Sequence, residues 1–369
     1  MRNKKLLLII ILGFTLRILL FIFFAPWNLD LNKDIIFFGD ANGYHLLAIS
    51  ILKYFSFADN QLRTPIYPAF ISFFYFIFGI KPYIVLFFQI LINTFCILIL
   101  YKICLLLFNK KNIALISAFI FAIDPTQILF STYLFSESLF LFFLLCMIYF
   151  LVKGTKNNKI SSLALSGSIL GLAILTRPIA QYFILPVILI YFLIANETLL
   201  SKTKSVLIIF ISCIIVVSPW VYRNYSKFGY AKISSSKDCN LLILTANYTA
   251  SRGQHINPDT AIAYFVNRMV KLAPSELKGK TPKNASEIIS TTDFKMSELY
   301  AKVANEYLKE HKKYLFIACV KGLINLHANM GTEAYMMRLH LPTIRWSIEE
   351  KTSLGPFDAA IKFFKKKSI

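Results

Sequence analysis

Seven apolar stretches follow one another through the first 222 residues: 6–25, 83–108, 113–133, 136–152, 160–176, 178–195 and 205–222. A helical bilayer crossing needs about 20 predominantly apolar residues, so the pattern predicts an all-α polytopic membrane protein, a bundle of about 7–8 transmembrane helices. A further apolar run, 64–80, is shorter and bounded by Pro65, Pro68 and Gly79. Tyr67, Tyr75 and several phenylalanines suit headgroup depth, and the run reads as an interfacial helix within a first outside loop, 27–82. The N-terminal run is too long for a signal peptide and lacks a small-x-small cleavage site, so it is expected to be an uncleaved first span.

Two long polar stretches, 27–63 and 223–313, interrupt this pattern. Within the second, 297–313 has helical spacing, with Leu299, Val303 and Leu308 on one side. Residues 314–330 are apolar but broken by Lys321, which fits either an eighth span or an interfacial helix. The expected organisation is a transmembrane catalytic core over 1–222, a large outside loop over 223–313, and a last weak span or interfacial helix with a basic tail over 314–369.

The cations orient the bundle. With a cytoplasmic N-terminus, Arg2, Lys4, Lys5, Lys110, Lys111, Lys153, Lys156, Lys159, Lys202 and Lys204 all fall inside on short segments. The longer outside stretches between the first and seventh spans carry only Lys33, Lys53, Arg63, Lys81 and Arg177. This is the positive-inside bias, and it holds only if 64–80 does not cross.

Composition narrows the class further. Apolar residues make up 57% of the chain and charged ones 16%, against about a quarter charged in soluble domains, which excludes a soluble enzyme or a disordered tail. The formal charge of +21 belongs with cytoplasmic flanks and anionic lipid headgroups. No basic helix is interleaved with stacking aromatics, so nucleic acid is not an expected partner. Cys96, Cys104, Cys146 and Cys213 lie inside apolar runs, and Cys239 and Cys319 have no metal-type spacing. The histidines, His45 included, have no zinc spacing, and no cofactor is expected. A divalent metal is neither required nor excluded.

Charges beside apolar spans are costly and are the first functional candidates. Asp40 precedes the amphipathic segment 41–55 and has two readings: a helix N-cap, or a general base at the water–lipid boundary. Arg63, Arg177 and Arg223 stand on one outer rim, either snorkelling from helix ends or offering charge-assisted donors to a phosphate presented from the bilayer. Glu137 is a helix-start carboxylate or the orienting partner of one of those arginines. Asp124 precedes Pro125 within a span, where it can satisfy backbone groups freed by the proline. Arg17 sits mid-span, must find its partners inside the bundle, and reads as structural.

Several motifs share an order along the chain: Gly39-Asp40-Ala41 with Tyr44 and Leu47-Ala48, then Arg63-Thr64-Pro65-Ile66-Tyr67-Pro68, then Phe78-Gly79. With Leu16-Arg17, Ser136-Glu137-Ser138-Leu139, Thr176-Arg177-Pro178, Pro219 to Asn224, Phe228-Gly229 and Asn240-Leu241, the set resembles the GT-C glycosyltransferases. The bacterial branch akin to protein mannosyltransferases (glycosyltransferase family 39) and to the lipid A aminoarabinose transferase is the nearest. The resemblance covers about residues 1–245.

It implies an inverting enzyme that moves a sugar from a polyprenyl-phosphate donor to a glycolipid or protein acceptor, such as lipid A or lipopolysaccharide core. Transfer would occur on the periplasmic face of a bacterial inner membrane. Asp40 matches the family's first-loop base. Arg63, Tyr67, Glu137, Arg177, Arg223, Tyr44 and His45 are the expected substrate-binding set. The short stretch after residue 313 departs from the family, whose members usually continue with several more spans. A transporter or flippase, or a non-catalytic membrane subunit, is the competing reading. Against the first, no repeat is evident and the charges crowd the rim rather than the midplane.

Overall fold

The computed structural model describes residues 4–28, 36–196 and 198–328; these are predominantly helical, with no strand among them. Arg2, Lys33, the segment 329–330 and the basic tail therefore lie outside the described residues. The structure divides into two compact units, Met1–Ile233 and Ser234–Ile369.

The first unit runs α1 (Lys4–Phe24), α2 (Asp40–Tyr54), α3 (Ile66–Phe78), α4 (Pro82–Phe108), α5 (Lys111–Ile123), α6 (Pro125–Phe130), α7 (Glu137–Lys156) and α8 (Ile160–Ile174). A 3₁₀ turn, Pro178–Phe183, then leads into α9 (Ile184–Ile194) and α10 (Leu199–Phe228). Helices α1, α4, α7 and α10 are each long and apolar enough to cross a membrane. Their apolar side chains do not all turn inward: Leu8, Ile11, Phe23, Ile215 and Phe76 on α3 remain exposed, the surface a bilayer would cover. The protein is thus an all-α, multi-pass membrane protein.

Helix α3 has 13 residues, so at 1.5 Å per residue it is about 20 Å long, short of the roughly 30 Å hydrocarbon core. Its buried face, with Tyr67, Ile71, Phe74 and Tyr75, packs with Ala41, Tyr44 and Ala48 of α2 and with Val85, Leu86 and Ile90 of α4. The third apolar run is not one helix. Asp124 takes an extended conformation, as the residue before proline must, and Pro125 has no N–H to continue the ladder. The Asp124 carboxylate instead caps α6, accepting from Thr126 N at 2.7 Å and Gln127 N at 3.1 Å.

The break leaves the last carbonyls of α5 without intrahelical partners, and Arg17 supplies them. Its guanidinium, fully buried, donates to Ala122 O at 3.0 Å, Gly13 O at 2.8 Å and Asn93 Oδ1 at 2.8 Å. The mid-span arginine thus serves as a helix cap delivered from another helix.

Helix α8 packs against α10 through a Gly-x-x-x-Gly face, Gly167 and Gly171. A Cβ at Gly167 would run into the Ile209 backbone carbonyl, and one at Gly171 would lie 2.7 Å from Val216 Cβ. Backbone cannot swing aside as a side chain can, so Gly167→Leu is expected to part the two helices. Its cost exceeds the ~1–3 kcal/mol of ordinary overpacking. Loss of the monodisperse species in detergent chromatography checks this, with Leu165→Ala on an exposed position of the same helix as the unaffected control.

The second unit contains α11 (Ser236–Asn240), two π-helical stretches (Leu241–Ala246 and Thr249–Gly253), α12 (Pro258–Leu272), a 3₁₀ turn (Ser275–Leu277), α13 (Ala285–Ser290), α14 (Phe294–Glu310) and α15 (Lys312–Ala328). Asp293 caps α14, accepting from Met296 N at 2.9 Å. The face of α14 with Leu299, Val303 and Leu308 is buried, as its spacing predicts. Arg268 of α12 forks onto Glu306 of α14 at 3.1 and 2.9 Å. The segment broken by Lys321 is helical to Ala328, and Lys321 Nζ donates to Arg252 O at 2.9 Å.

Candidate active site

One end of the first unit gathers the start of α2, the loop between α2 and α3, the start of α7 and the end of α8. Gly39 enters α2 at φ 58°, a conformation open to glycine without a Cβ penalty, and makes no side-chain cap. Asp40 is therefore the first residue of the helix rather than its N-cap. Its carboxylate points outward, with 69% of the side chain exposed, and Oδ1 lies 3.0 Å from Arg63 Nη2.

Arg63 comes from the loop before α3, and the chain holds that loop at several points. Asn60 clasps the Arg63 backbone from both sides, Nδ2 donating to Arg63 O at 2.6 Å and Oδ1 accepting from Arg63 N at 3.0 Å. Thr64 Oγ1 donates to Thr176 O at 3.0 Å, and Ile66 N to Leu175 O at 3.1 Å. These two bonds bring Arg63 beside the end of α8, where Arg177 begins the next turn. The Arg63 guanidinium lies over the Tyr44 ring, 4.4 Å from its centroid, with only 14% of the side chain exposed.

Tyr44 links the two halves of the site. Its hydroxyl lies 3.3 Å from Ser136 Oγ, and Arg177 Nη1 donates to the same oxygen at 3.4 Å. Burial pushes the Tyr44 phenol above its ordinary value although Arg63 opposes that shift, so the group stays protonated and able to donate. Arg177 forms an ion pair with Glu137, the first residue of α7. Gly39, Asp40, Tyr44, Phe135, Ser136 and Glu137 line a cavity of about 250 Å³. Two carboxylates, each held by an arginine, thus face one space, with a tyrosine and a serine between them.

The other expected site residues lie elsewhere. Arg223, near the end of α10, donates to Asn60 O at 3.0 Å and Ala58 O at 2.9 Å and packs over Trp220 at 4.6 Å. Lys227 joins it on Ala58 O at 3.0 Å and pairs with Asp59 at 2.8 Å. Arg223 is thus turned onto the loop that presents Arg63. Tyr67 is fully buried, its hydroxyl donating to Gln89 Oε1 at 2.5 Å. His45 Nδ1 lies 2.8 Å from Tyr75 OH, its ring is 4.4 Å from Phe37, and burial lowers its pKa. Neither Tyr67 nor His45 lines the cavity.

Sequence reasoning passed over Phe135 and the contributions of Asn60 and Ser136. Ser136 stands inside a motif already singled out, which was the available signal. Among the described residues no three His, Cys, Asp or Glu side chains group to hold a metal ion.

Residues 62–222 match the model of the dolichyl-phosphate-mannose-protein mannosyltransferase family, of the GT-C superfamily. The match takes in Arg63, Ser136, Glu137 and Arg177; Asp40 and Tyr44 precede it and Arg223 follows it. No curated protein and no solved structure matches the chain. Over that segment the chain is similar to a family of GT-C glycosyltransferases.

Proposed function

We propose that this protein is a GT-C glycosyltransferase that moves a sugar from a polyprenyl-phosphate donor to a hydroxyl of a glycolipid or protein, with inversion, at the cavity lined by Asp40 and Glu137 and flanked by their partners Arg63 and Arg177. The observation that carries the reading is the paired arrangement itself. Two carboxylates, Asp40 and Glu137, line a space of about 250 Å³ at one end of a membrane bundle, and each is paired with a guanidinium, of Arg63 and Arg177.

The chemistry follows from those positions. Asp40 uses Oδ1 for Arg63, which leaves Oδ2 to accept the proton of the acceptor hydroxyl. The hydroxyl oxygen bonds to the anomeric carbon as the carbon–oxygen bond to the donor phosphate breaks, and that electron pair leaves on the phosphate. The departing polyprenyl phosphate gains one negative charge, which Arg63 and Arg177 stabilise where it develops. Glu137 holds Arg177 in place, and Phe135 offers an apolar wall to the sugar ring. Arg223 acts at one remove, anchoring the loop that carries Arg63.

The same reading puts the site on the outer, periplasmic face of a bacterial inner membrane, with a cytoplasmic N-terminus. Lys153 and Lys156 in the last turn of α7 and Lys159 just before α8 lie at the ends of those helices away from the site, which supports this orientation.

Arg63→Lys tests the phosphate role, because lysine keeps the charge but replaces a planar fork with a point donor. The apparent KM for a polyprenyl-phosphate sugar is expected to rise about tenfold or more, the cost of one charge-assisted hydrogen bond. An unchanged donor KM would remove Arg63 from the phosphate site.

A further inference from the structure

Arg63 reaches Asp40 by lying across helix α2 at the one position where that helix has no side chain. A Cβ built on Gly43 would sit 2.5 Å from Arg63 Nε, 2.6 Å from Nη2 and 2.8 Å from Cζ. Those distances are too short for any side chain to share the space. The guanidinium is therefore enclosed on three sides: the bare backbone at Gly43, the Tyr44 ring at 4.4 Å, and the Asp40 carboxylate at 3.0 Å. Nothing in the local backbone calls for glycine here. Gly43 lies inside α2 and is not among the residues with positive φ. In that setting glycine costs about 0.5–1 kcal/mol relative to alanine. The three atoms nearest to the space it leaves all belong to the Arg63 side chain.

We infer that Gly43 is a positioning residue for Arg63: its missing side chain forms the slot that fixes the guanidinium beside Asp40 at the cavity wall. This rests on the proposed role of Arg63 as a ligand of the donor phosphate. The slot acts only on a side-chain tip. An added methyl at Gly43 meets the far end of a flexible arginine, which swings away at little cost to the fold, while the guanidinium leaves the position from which it grips a phosphate.

The test uses the full-length protein in detergent in four forms: unaltered, Gly43→Ala, Arg63→Lys and the double variant. Binding of undecaprenyl phosphate is measured for each, with undecaprenol as the phosphate-free control and the thermal midpoint as a second readout. Gly43→Ala is expected to weaken undecaprenyl phosphate binding about tenfold, the scale of one charge-assisted hydrogen bond, while leaving undecaprenol binding unchanged. The thermal midpoint should stay equal or rise, because alanine favours the helix. In the Arg63→Lys background the same substitution should cost little more, since the two changes act on one contact.

Full binding by Gly43→Ala, or equal losses from Gly43→Ala with and without Arg63, would overturn the inference. A lowered midpoint together with weakened undecaprenol binding would also overturn it, by making Gly43 an ordinary packing residue. Arg63→Lys binding undecaprenyl phosphate as the unaltered protein does would instead defeat the phosphate role, and the inference with it.

Discussion

Asp40→Asn is expected to reduce turnover by about 10²–10⁴-fold, the usual contribution of a positioned general base, while leaving the folded protein intact. The two side chains have the same shape, and 69% of the Asp40 side chain is exposed. The ion pair with Arg63 adds at most about 1 kcal/mol of stability at such exposure. The substitution also has a second consequence. Arg63 loses its carboxylate partner, so the donor phosphate no longer competes with Asp40 for the guanidinium. The inactive variant should therefore bind undecaprenyl phosphate at least as tightly as the unaltered protein. Turnover and equilibrium binding measured on the same preparation check both statements. Turnover within tenfold of normal would remove Asp40 as the base.

Arg17→Leu is expected to have the largest effect on stability. The guanidinium is fully buried and donates to Gly13 O, Ala122 O and Asn93 Oδ1. Within a bilayer no water can replace it, and the carbonyls at the end of α5 lose the donor that the Asp124-Pro125 break made necessary. Each unsatisfied acceptor costs about 1–3 kcal/mol, which puts the loss at several kcal/mol in all. The expected result is a sharp fall in monodisperse protein extracted from membranes. Arg17→Lys should fall between, since an ammonium reaches fewer of these oxygens. Extraction of Arg17→Leu at the normal level would show that the α5 end does not depend on this cap.

The apolar runs made the helices legible, because length and hydropathy alone decide which segments can sit in a bilayer. The break in the third run was written in Asp124-Pro125, a local steric effect. The partner of Arg17 was not legible: Ala122 lies 105 positions away, and no pattern in either segment points to the other. The same limit applies at the site. Charge at helix ends singled out Asp40, Arg63, Glu137 and Arg177, and the structure brings all four together. Arg223 carries the same charge at the same kind of position, yet it faces the carbonyls of residues 58 and 60. Whether a rim arginine turns to a ligand or to its own chain depends on how a loop folds, and short motifs do not encode that. Tyr67 illustrates the same point: it stands four residues after Arg63, yet its hydroxyl is consumed by Gln89.

The most direct test of the enzyme reading is a comparison of envelope glycolipids and glycoproteins by intact mass in three strains. One lacks the gene, one carries it restored, and one carries the Asp40→Asn form at the same membrane level. A single added sugar mass should be present with the restored gene and missing from the other two. Identical profiles in all three would mean that no sugar is transferred. A sugar that persists with Asp40→Asn would mean that transfer occurs without this site.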